Sequence, residues 1–329
     1  MRRSCIHMAR RCCRAGAPKT SSTTAAQGPC RALSANIGGG AGQGGREGRE
    51  GQQGRLGVGG AHRTSVSELE LKKFRHLEME WWNPESRRGA GPLHSMNVTR
   101  VQHIARQVGL LLPEAFPHRG STTPLAGLRA LDVGCGGGLL SESLARLGAE
   151  VVGVDPSPEN VAVATAHARG DPLTRSIRYE AATAEELEAR GERFDLVAAL
   201  EVIEHVEDPS VFVSSLTRLT RPGGMLTIST INRTAKSFAL AIIGAEYLAG
   251  LVPVGTHDWQ KFVPPMDVAA MLQEGGFPPD SVHTCGLIYN PLSGRWSENP
   301  RDVDVNYIVT ATRERDAVEG VLPSCLTAS

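Results

Sequence analysis

The chain of 329 residues is poor in aromatic side chains, which make up 5% of it, and carries no surplus of either charge, with 35 Lys and Arg against 35 Asp and Glu. That balance excludes the broad basic face a nucleic-acid partner requires, and it turns mildly acidic once the basic amino terminus is set aside. No run of about 18 uninterrupted apolar residues occurs, so no membrane-spanning helix is expected. The seven cysteines lack metal-ligand spacing. Cys5, Cys12, Cys13 and Cys30 fall near the amino terminus, and Cys135, Cys285 and Cys325 read as reduced thiols in a reducing compartment. Acidic residues are also absent before Glu47.

That last absence coincides with Arg2, Arg3, Arg10, Arg11, Arg14 and Arg31 and with a Ser/Thr run from Thr20 to Thr24. An arginine-rich, serine-rich, acid-poor start without an apolar segment reads as a mitochondrial transit peptide, or else as a low-complexity extension. The Gly-rich stretch from Gly38 to Gly60 reads as linker. Residues 1–64 are therefore expected to stand apart from a folded domain over 65–312, followed by a tail over 313–329.

From residue 65 onward periodicity sets in. Val66 to Leu77 and Leu93 to Leu112 show apolar residues at helical spacing. Short apolar runs at Leu128 to Val133, Val151 to Val154, Ile177 to Tyr179, Leu196 to Leu200 and Met225 to Ser229 then alternate with helical segments. Pro222-Gly223-Gly224 reads as the turn into the fifth strand. An insertion over 232–264 follows, then a helix near Met266 to Glu274 and strands near Val282 to Tyr289 and Val303 to Ala311. The expected fold is α/β: a doubly wound, mostly parallel, seven-stranded sheet with helices on both faces, of Rossmann-like type.

Ligands of such sheets sit beyond the carboxyl ends of the strands where strand order reverses. The segment "LDVGCGGGLL" (Leu131 to Leu140) falls there, and its glycines let a backbone turn tightly and approach a ligand. A dinucleotide fingerprint places glycine at the first, third and sixth positions. Counted from Gly134, the sixth is Leu139. The loop holds no lysine and follows Asp132, an unfavourable neighbour for pyrophosphate and a favourable one for a cationic nucleoside such as S-adenosylmethionine. Asp155, at the end of the second strand, suits a ribose diol.

With these residues the chain resembles the class I S-adenosylmethionine-dependent methyltransferases. Its flanking segments "FRHLEMEWWNPE" (Phe74 to Glu85), "PLHSMNVTRVQHI" (Pro92 to Ile104), "ALEVIEHVEDP" (Ala199 to Pro209), "STINRTAKSFALAI" (Ser229 to Ile242) and "GTHDWQKFVPP" (Gly255 to Pro265) are similar to the ubiquinone biosynthesis O-methyltransferases. The resemblance implies O-methylation of polyprenylated catechols, namely a dihydroxybenzoate and demethylubiquinol. It also implies peripheral attachment to the matrix side of the mitochondrial inner membrane and a multi-protein ubiquinone-biosynthesis assembly. By the same resemblance Arg100 meets the donor's carboxylate, Gly134 and Asp155 are the loop glycine and ribose acid, Leu200 lines the donor site, and Glu201, Glu204 and His205 hold Mg2+.

Glu201, Glu204 and His205 stand at i, i+3 and i+4, which on a helix gives them one face. A catechol hydroxyl, like a phenol of pKa about 10, is mostly protonated near neutrality. A divalent cation would lower that value, with Glu201 and Glu204 as oxygen ligands. Imidazole suits magnesium less well, so His205 also reads as a general base. The alternative is a helix start without a ligand.

The stretch "FALAIIGAEYLAGLVPV" (Phe238 to Val254) is almost wholly apolar and too short to span a bilayer. Peripheral membrane contact is expected through residues 236–254, with a buried lid or dimer contact as the alternative. Trp81 and Trp82 read either as walls of an aromatic pocket or as packing anchors. His257 reads as a substrate contact or a capping residue. His94, His103, His167, His283 and Cys135 receive no catalytic role. Two other functions fit the sequence: a methyltransferase for another small acceptor, and a noncatalytic donor- or lipid-binding subunit.

Overall fold

The computed structural model describes residues 64–67, 70, 81–85, 91–112, 122–240 and 258–315, all within one unit spanning Gly59–Ser329. The proposed leader, most of the expected helix from Val66 to Leu77, His257, the greater part of the apolar insertion and nearly all of the tail lie outside the described residues.

Each short apolar run of the middle region forms a strand: β1 (Arg129–Val133), β2 (Glu150–Asp155), β3 (Arg178–Ala181), β4 (Phe194–Leu200) and β5 (Thr220–Ile231). Helix α1 (Gly91–Leu111) precedes them, and α2 (Leu139–Arg146), α3 (Pro158–Ala168), α4 (Ala184–Ala189) and α5 (Pro209–Leu219) intervene. Helix starts follow local chemistry. Ser157 caps α3 by accepting from the Asn160 amide, Thr183 and Glu186 form a reciprocal capping box on α4, and Asp208 caps α5 ahead of Pro209. After the insertion come α6 (Pro265–Glu274), β6 (His283–Asn290), β7 (Arg295–Asn299) and β8 (Asn306–Thr312).

The strands form one sheet in the order β3-β2-β1-β4-β5-β8-β6-β7. Strands β1 to β5 pair in parallel, while β8 is antiparallel to β5 and β6, and β7 antiparallel to β6. The sheet has eight strands, one more than the sequence suggested. The addition is β7, "RWSEN", an edge strand whose largely polar residues leave no apolar run to notice. The Pro222-Gly223-Gly224 turn also needs correction. It lies within β5, where Thr220 pairs with Phe194 and Met225 with Leu196, so the glycines absorb a bulge instead of preceding the strand.

Both faces of the parallel part are covered, which explains why every residue of β4 is buried. Alternation sends Leu131, Val133, Val197 and Ala199 into one apolar cluster, and Ala130, Leu196 and Ala198 into the other. Strand order reverses between β1 and β4, and the loops leaving these two strands face each other there.

Candidate active site

The loop after β1 follows a path only glycine takes readily. Gly134, Gly136 and Gly138 have φ of 72°, 51° and 90°. The amides of Gly134 and Cys135 both donate to the Val154 carbonyl, at 2.8 and 2.9 Å, which ties the loop to β2. What crowds these glycines is largely the protein itself. A Cβ on Gly134 would lie 2.5 Å from Val202 Cγ2, one on Gly136 2.4 Å from Trp81 Cη2, and one on Gly138 2.4 Å from the Tyr179 hydroxyl.

At the end of β2 the Asp155 carboxylate is buried, with 7% of the residue exposed. Its Oδ2 accepts from the Gly136 amide at 3.0 Å, and its Oδ1 accepts from the Ser157 amide at 2.9 Å and from Asn160 Nδ2 at 3.2 Å. Burial raises its pKa, against the pull of these hydrogen bonds. A carboxylate offers about four lone-pair positions, so three donors leave room for a further one such as a ribose hydroxyl. Asp132 lies deeper, accepts from Ser141 Oγ at 2.6 Å, and is pushed up to about 6, chiefly by burial. It therefore keeps a negative charge beneath the loop near neutrality.

Across the switch point, Glu201 follows β4 with φ of 57°, the one positive value outside glycine among the described residues. Its amide donates to the Ser229 carbonyl at 2.9 Å, and its Oε1 accepts from Ser229 Oγ at 2.6 Å. The same Oε1 lies 3.1 Å from Arg100 Nη2, reaching in from α1. That pair meets an ion-pair distance yet not hydrogen-bond geometry, because Arg100 Nε and Nη2 have no aligned acceptor. The orientation carries the chemical meaning: a buried guanidinium with two unused donors is suited to a carboxylate brought by a ligand.

Glu204 and His205 follow on a 3-10 turn, Ile203–His205. Glu204 is buried and accepts from Thr230 Oγ1 at 2.8 Å; burial, reinforced by the nearby Glu201 charge, pushes it up to about 7. His205 Nδ1 lies 3.1 Å from Glu70 Oε2, while Glu70 Oε1 accepts from Lys261 Nζ at 2.8 Å. These placements bear on the expected magnesium site. Ser229 and Thr230 are consecutive in β5 and point to opposite faces, so the two glutamates they hold are drawn apart. His205 turns toward Glu70. Among the described residues no group of three or more His, Cys, Asp or Glu side chains is placed to hold a metal ion. The i, i+3, i+4 argument needs a continuous right-handed helix, which the left-handed Glu201 and the tight turn replace.

The fold thus brings Arg100, Gly134, Asp155, Leu200 and Glu201 to the strand ends at the switch point, with Leu200 the last residue of β4. Reading the sequence missed Asn160, Glu70 and Lys261. Glu70 had no local signal because its partner His205 is 135 positions away. Asn160 is discoverable from the Ser-Pro-Glu-Asn helix start five residues beyond Asp155.

A glycine loop and terminal acid at the switch point of a parallel sheet define the nucleoside site of a class I methyltransferase, and the "Methyltransferase domain" family profile matches residues 131–228. A ubiquinone biosynthesis O-methyltransferase of Cereibacter sphaeroides is 44% identical over 252 residues, covering 77% of this chain and 98% of that protein. The Arabidopsis thaliana protein named ubiquinone biosynthesis O-methyltransferase, mitochondrial, is 44% identical over 253 residues, 77% of this chain and 76% of its own. Magnesium protoporphyrin IX methyltransferase from Synechocystis PCC 6803 superposes with a TM-score of 0.46 at 24% identity, over 66% of this chain and 84% of that one. The chain belongs to the ubiquinone biosynthesis O-methyltransferase family, whose methyl donor is S-adenosylmethionine.

Proposed function

We propose that the chain methylates a phenolic oxygen of a polyprenylated catechol in ubiquinone biosynthesis, with 3,4-dihydroxy-5-polyprenylbenzoate and demethylubiquinol as its acceptors. The observation that carries the reading is the buried Arg100 guanidinium, with unsatisfied Nε and Nη2, beside Glu201 at the switch point. Arg100 receives the carboxylate of the donor, Gly134 lets the loop approach its amino-acid part, Asp155 takes a ribose hydroxyl, and Leu200 lines the cleft. When bound, the donor supplies an electrophilic methyl on a sulfonium.

The protein's own contribution is alignment and proton removal. His205, whose Nδ1 lies 3.1 Å from Glu70 Oε2, is the imidazole that takes the proton of the attacking hydroxyl. Glu70 is held in turn by Lys261, so the imidazole is anchored from two segments. Glu201 joins the loop after β4 to Ser229 and fixes where the acceptor's oxygen meets the methyl.

Glu201, Glu204 and His205 do not fit a shared magnesium ion as placed. A magnesium requirement would mean that these side chains leave Arg100, Ser229, Thr230 and Glu70 and turn toward one another with substrate present.

The acceptor's tail is membrane-bound, since each exposed methylene costs about 0.8 kcal/mol. Contact with the bilayer is assigned to 236–254. At the base of this segment Phe238 and Leu240 are 44% and 54% exposed, while Lys236 is tied to Asp302 and Asp304. No helix among the described residues is long and apolar enough to cross a membrane. The basic leader and the mitochondrial name of the Arabidopsis relative support a mitochondrial site of action; the proposal sets it on the matrix side of the inner membrane, in an assembly of ubiquinone-pathway enzymes.

Turnover of a catechol bearing a short prenyl tail, with and without magnesium after chelation, tests the function. O-methylated product is expected. Donor binding without turnover of any catechol would favour the noncatalytic reading instead. Liposome flotation that survives deletion of 236–254 would remove the membrane assignment alone.

A further inference from the structure

A tryptophan packs against the glycine loop at Gly136 and Gly137. The Trp81 indole lies lengthwise on it: a Cβ on Gly136 would meet Cη2 at 2.4 Å and Cζ2 at 2.5 Å, and a Cβ on Gly137 would meet Cγ at 2.4 Å. Gly136 has φ of 51°, but Gly137 has no positive φ, and the approach of this ring leaves no room there for a side chain. The indole Nε1 donates to Asn160 Oδ1 at 3.0 Å. An indole N–H only donates, so the amide oxygen faces it and the Nδ2 group faces Asp155, to which it donates at 3.2 Å. Trp81 thus touches both halves of the nucleoside site, the loop directly and the terminal acid through one amide.

Its neighbour fixes the aim of this segment. Trp82 Nε1 donates to the Gly137 carbonyl at 3.0 Å, and its ring stacks on His167 of α3 with centroids 3.4 Å apart and planes 4° from parallel. The Trp81 carbonyl lies 2.8 Å from His94 Nε2 of α1. Residues 81 and 82 are thereby pinned to the loop, to α3 and to α1.

We propose that Trp81 is a positioning residue of the methyl-donor site: its ring holds the glycine loop in its bound shape and, through Asn160, aims the Asp155 carboxylate at the donor's ribose. The inference rests on the reading of Asp155 as the ribose acid. It adds that the site is completed by a segment outside the sheet, before α1, and that donor binding is felt at one particular indole.

The test uses the full chain and S-adenosylmethionine, by calorimetry and steady-state kinetics. Trp81→Phe keeps a ring over the glycines and removes only the N–H, so donor Kd should rise about fivefold, as expected for one hydrogen bond. Trp81→Ala removes both contacts and should raise it at least about tenfold. In both variants the acceptor KM and the kcat at saturating donor should stay within about twofold, which loss of fold would not produce. Asn160→Ala combined with Trp81→Phe should be no worse than Asn160→Ala alone, because the two act in one chain of contacts. Donor titration should change tryptophan emission in the wild-type protein and in Trp296→Phe, and change it less in Trp81→Phe. Wild-type donor affinity in both Trp81 variants, or a rise in acceptor KM instead, would overturn the proposal. Asp155→Ala separates the two claims: normal donor binding there defeats the ribose assignment, whereas weak binding there with intact binding in the Trp81 variants defeats the role of Trp81. Should Trp81→Ala fail to fold, Trp81→Phe and the emission change still decide.

Discussion

Arg100 Nη2 stands 3.1 Å from Glu201 Oε1, linking a helix that precedes the sheet to the loop that leaves its fourth strand. Both side chains are largely shielded from water. Because the guanidinium directs its Nε and Nη2 donors away from any aligned acceptor, the pair holds a positive group in readiness instead of neutralising it fully. Arg100→Lys keeps the charge and loses the planar fork. The expected result is a donor Kd raised about tenfold or more with acceptor KM little changed, measured by calorimetry and initial rates. An unchanged donor Kd would remove Arg100 from the donor site.

His205 and Glu70 make a second prediction. His205→Ala should lower kcat by about a hundredfold or more, the span of general-base catalysis, with donor affinity preserved. Glu70→Gln, which keeps size but weakens the hold on Nδ1 and Lys261, should lower kcat by a smaller factor, about tenfold. Single-turnover rates under saturating donor read both. Equal loss of donor affinity in the two variants would point to a structural role.

Asp132 gives the pH dependence a sign. Burial raises its carboxyl from an ordinary 3.8 to about 6. The folded state therefore holds a proton that the unfolded chain releases, and this contribution is fully present below about pH 4 and lost as pH rises through about 6. Over that window Asp132 should lower stability by on the order of 2–3 kcal/mol. Urea denaturation of Asp132→Asn across the window should lack this fall. A wild-type slope in the variant would assign it to other carboxyls, of which Asp155 is the nearest candidate.

Gly286, in β6, faces the Asp302 carbonyl so closely that a Cβ would lie 1.7 Å from it. The neighbour is backbone, and the same Asp302 carboxylate anchors Lys236 at the base of the insertion. Gly286→Ala should cost at least about 2 kcal/mol of stability in chemical denaturation, as overpacking does. It should also loosen the insertion, seen as faster proteolysis there.

The parallel half of the fold was legible because strands buried on both faces carry unbroken apolar runs that alternate with helical segments. β7 was not, since an edge strand needs no apolar run and Trp296 alone is no pattern. The loop glycines were read as letting the backbone turn tightly and approach a ligand; the groups that crowd Gly134, Gly136 and Gly138 in the structure are Val202, Trp81 and Tyr179. These contacts join residues distant in sequence, which periodicity does not reveal. The acid and histidine cluster failed for a different reason. Its spacing is helical, whereas the positive φ of Glu201 and the alternation of Ser229 and Thr230 send the three side chains to separate partners.

Transfer of an isotopically labelled methyl group from S-adenosylmethionine to a short-tailed prenyl catechol, with the labelled position located in the product, tests the central claim most directly. Label on a phenolic oxygen, matched one for one by S-adenosylhomocysteine and abolished in Asp155→Ala, is the outcome this site demands. Label on carbon or nitrogen, or no transfer by protein that binds the donor, would contradict it.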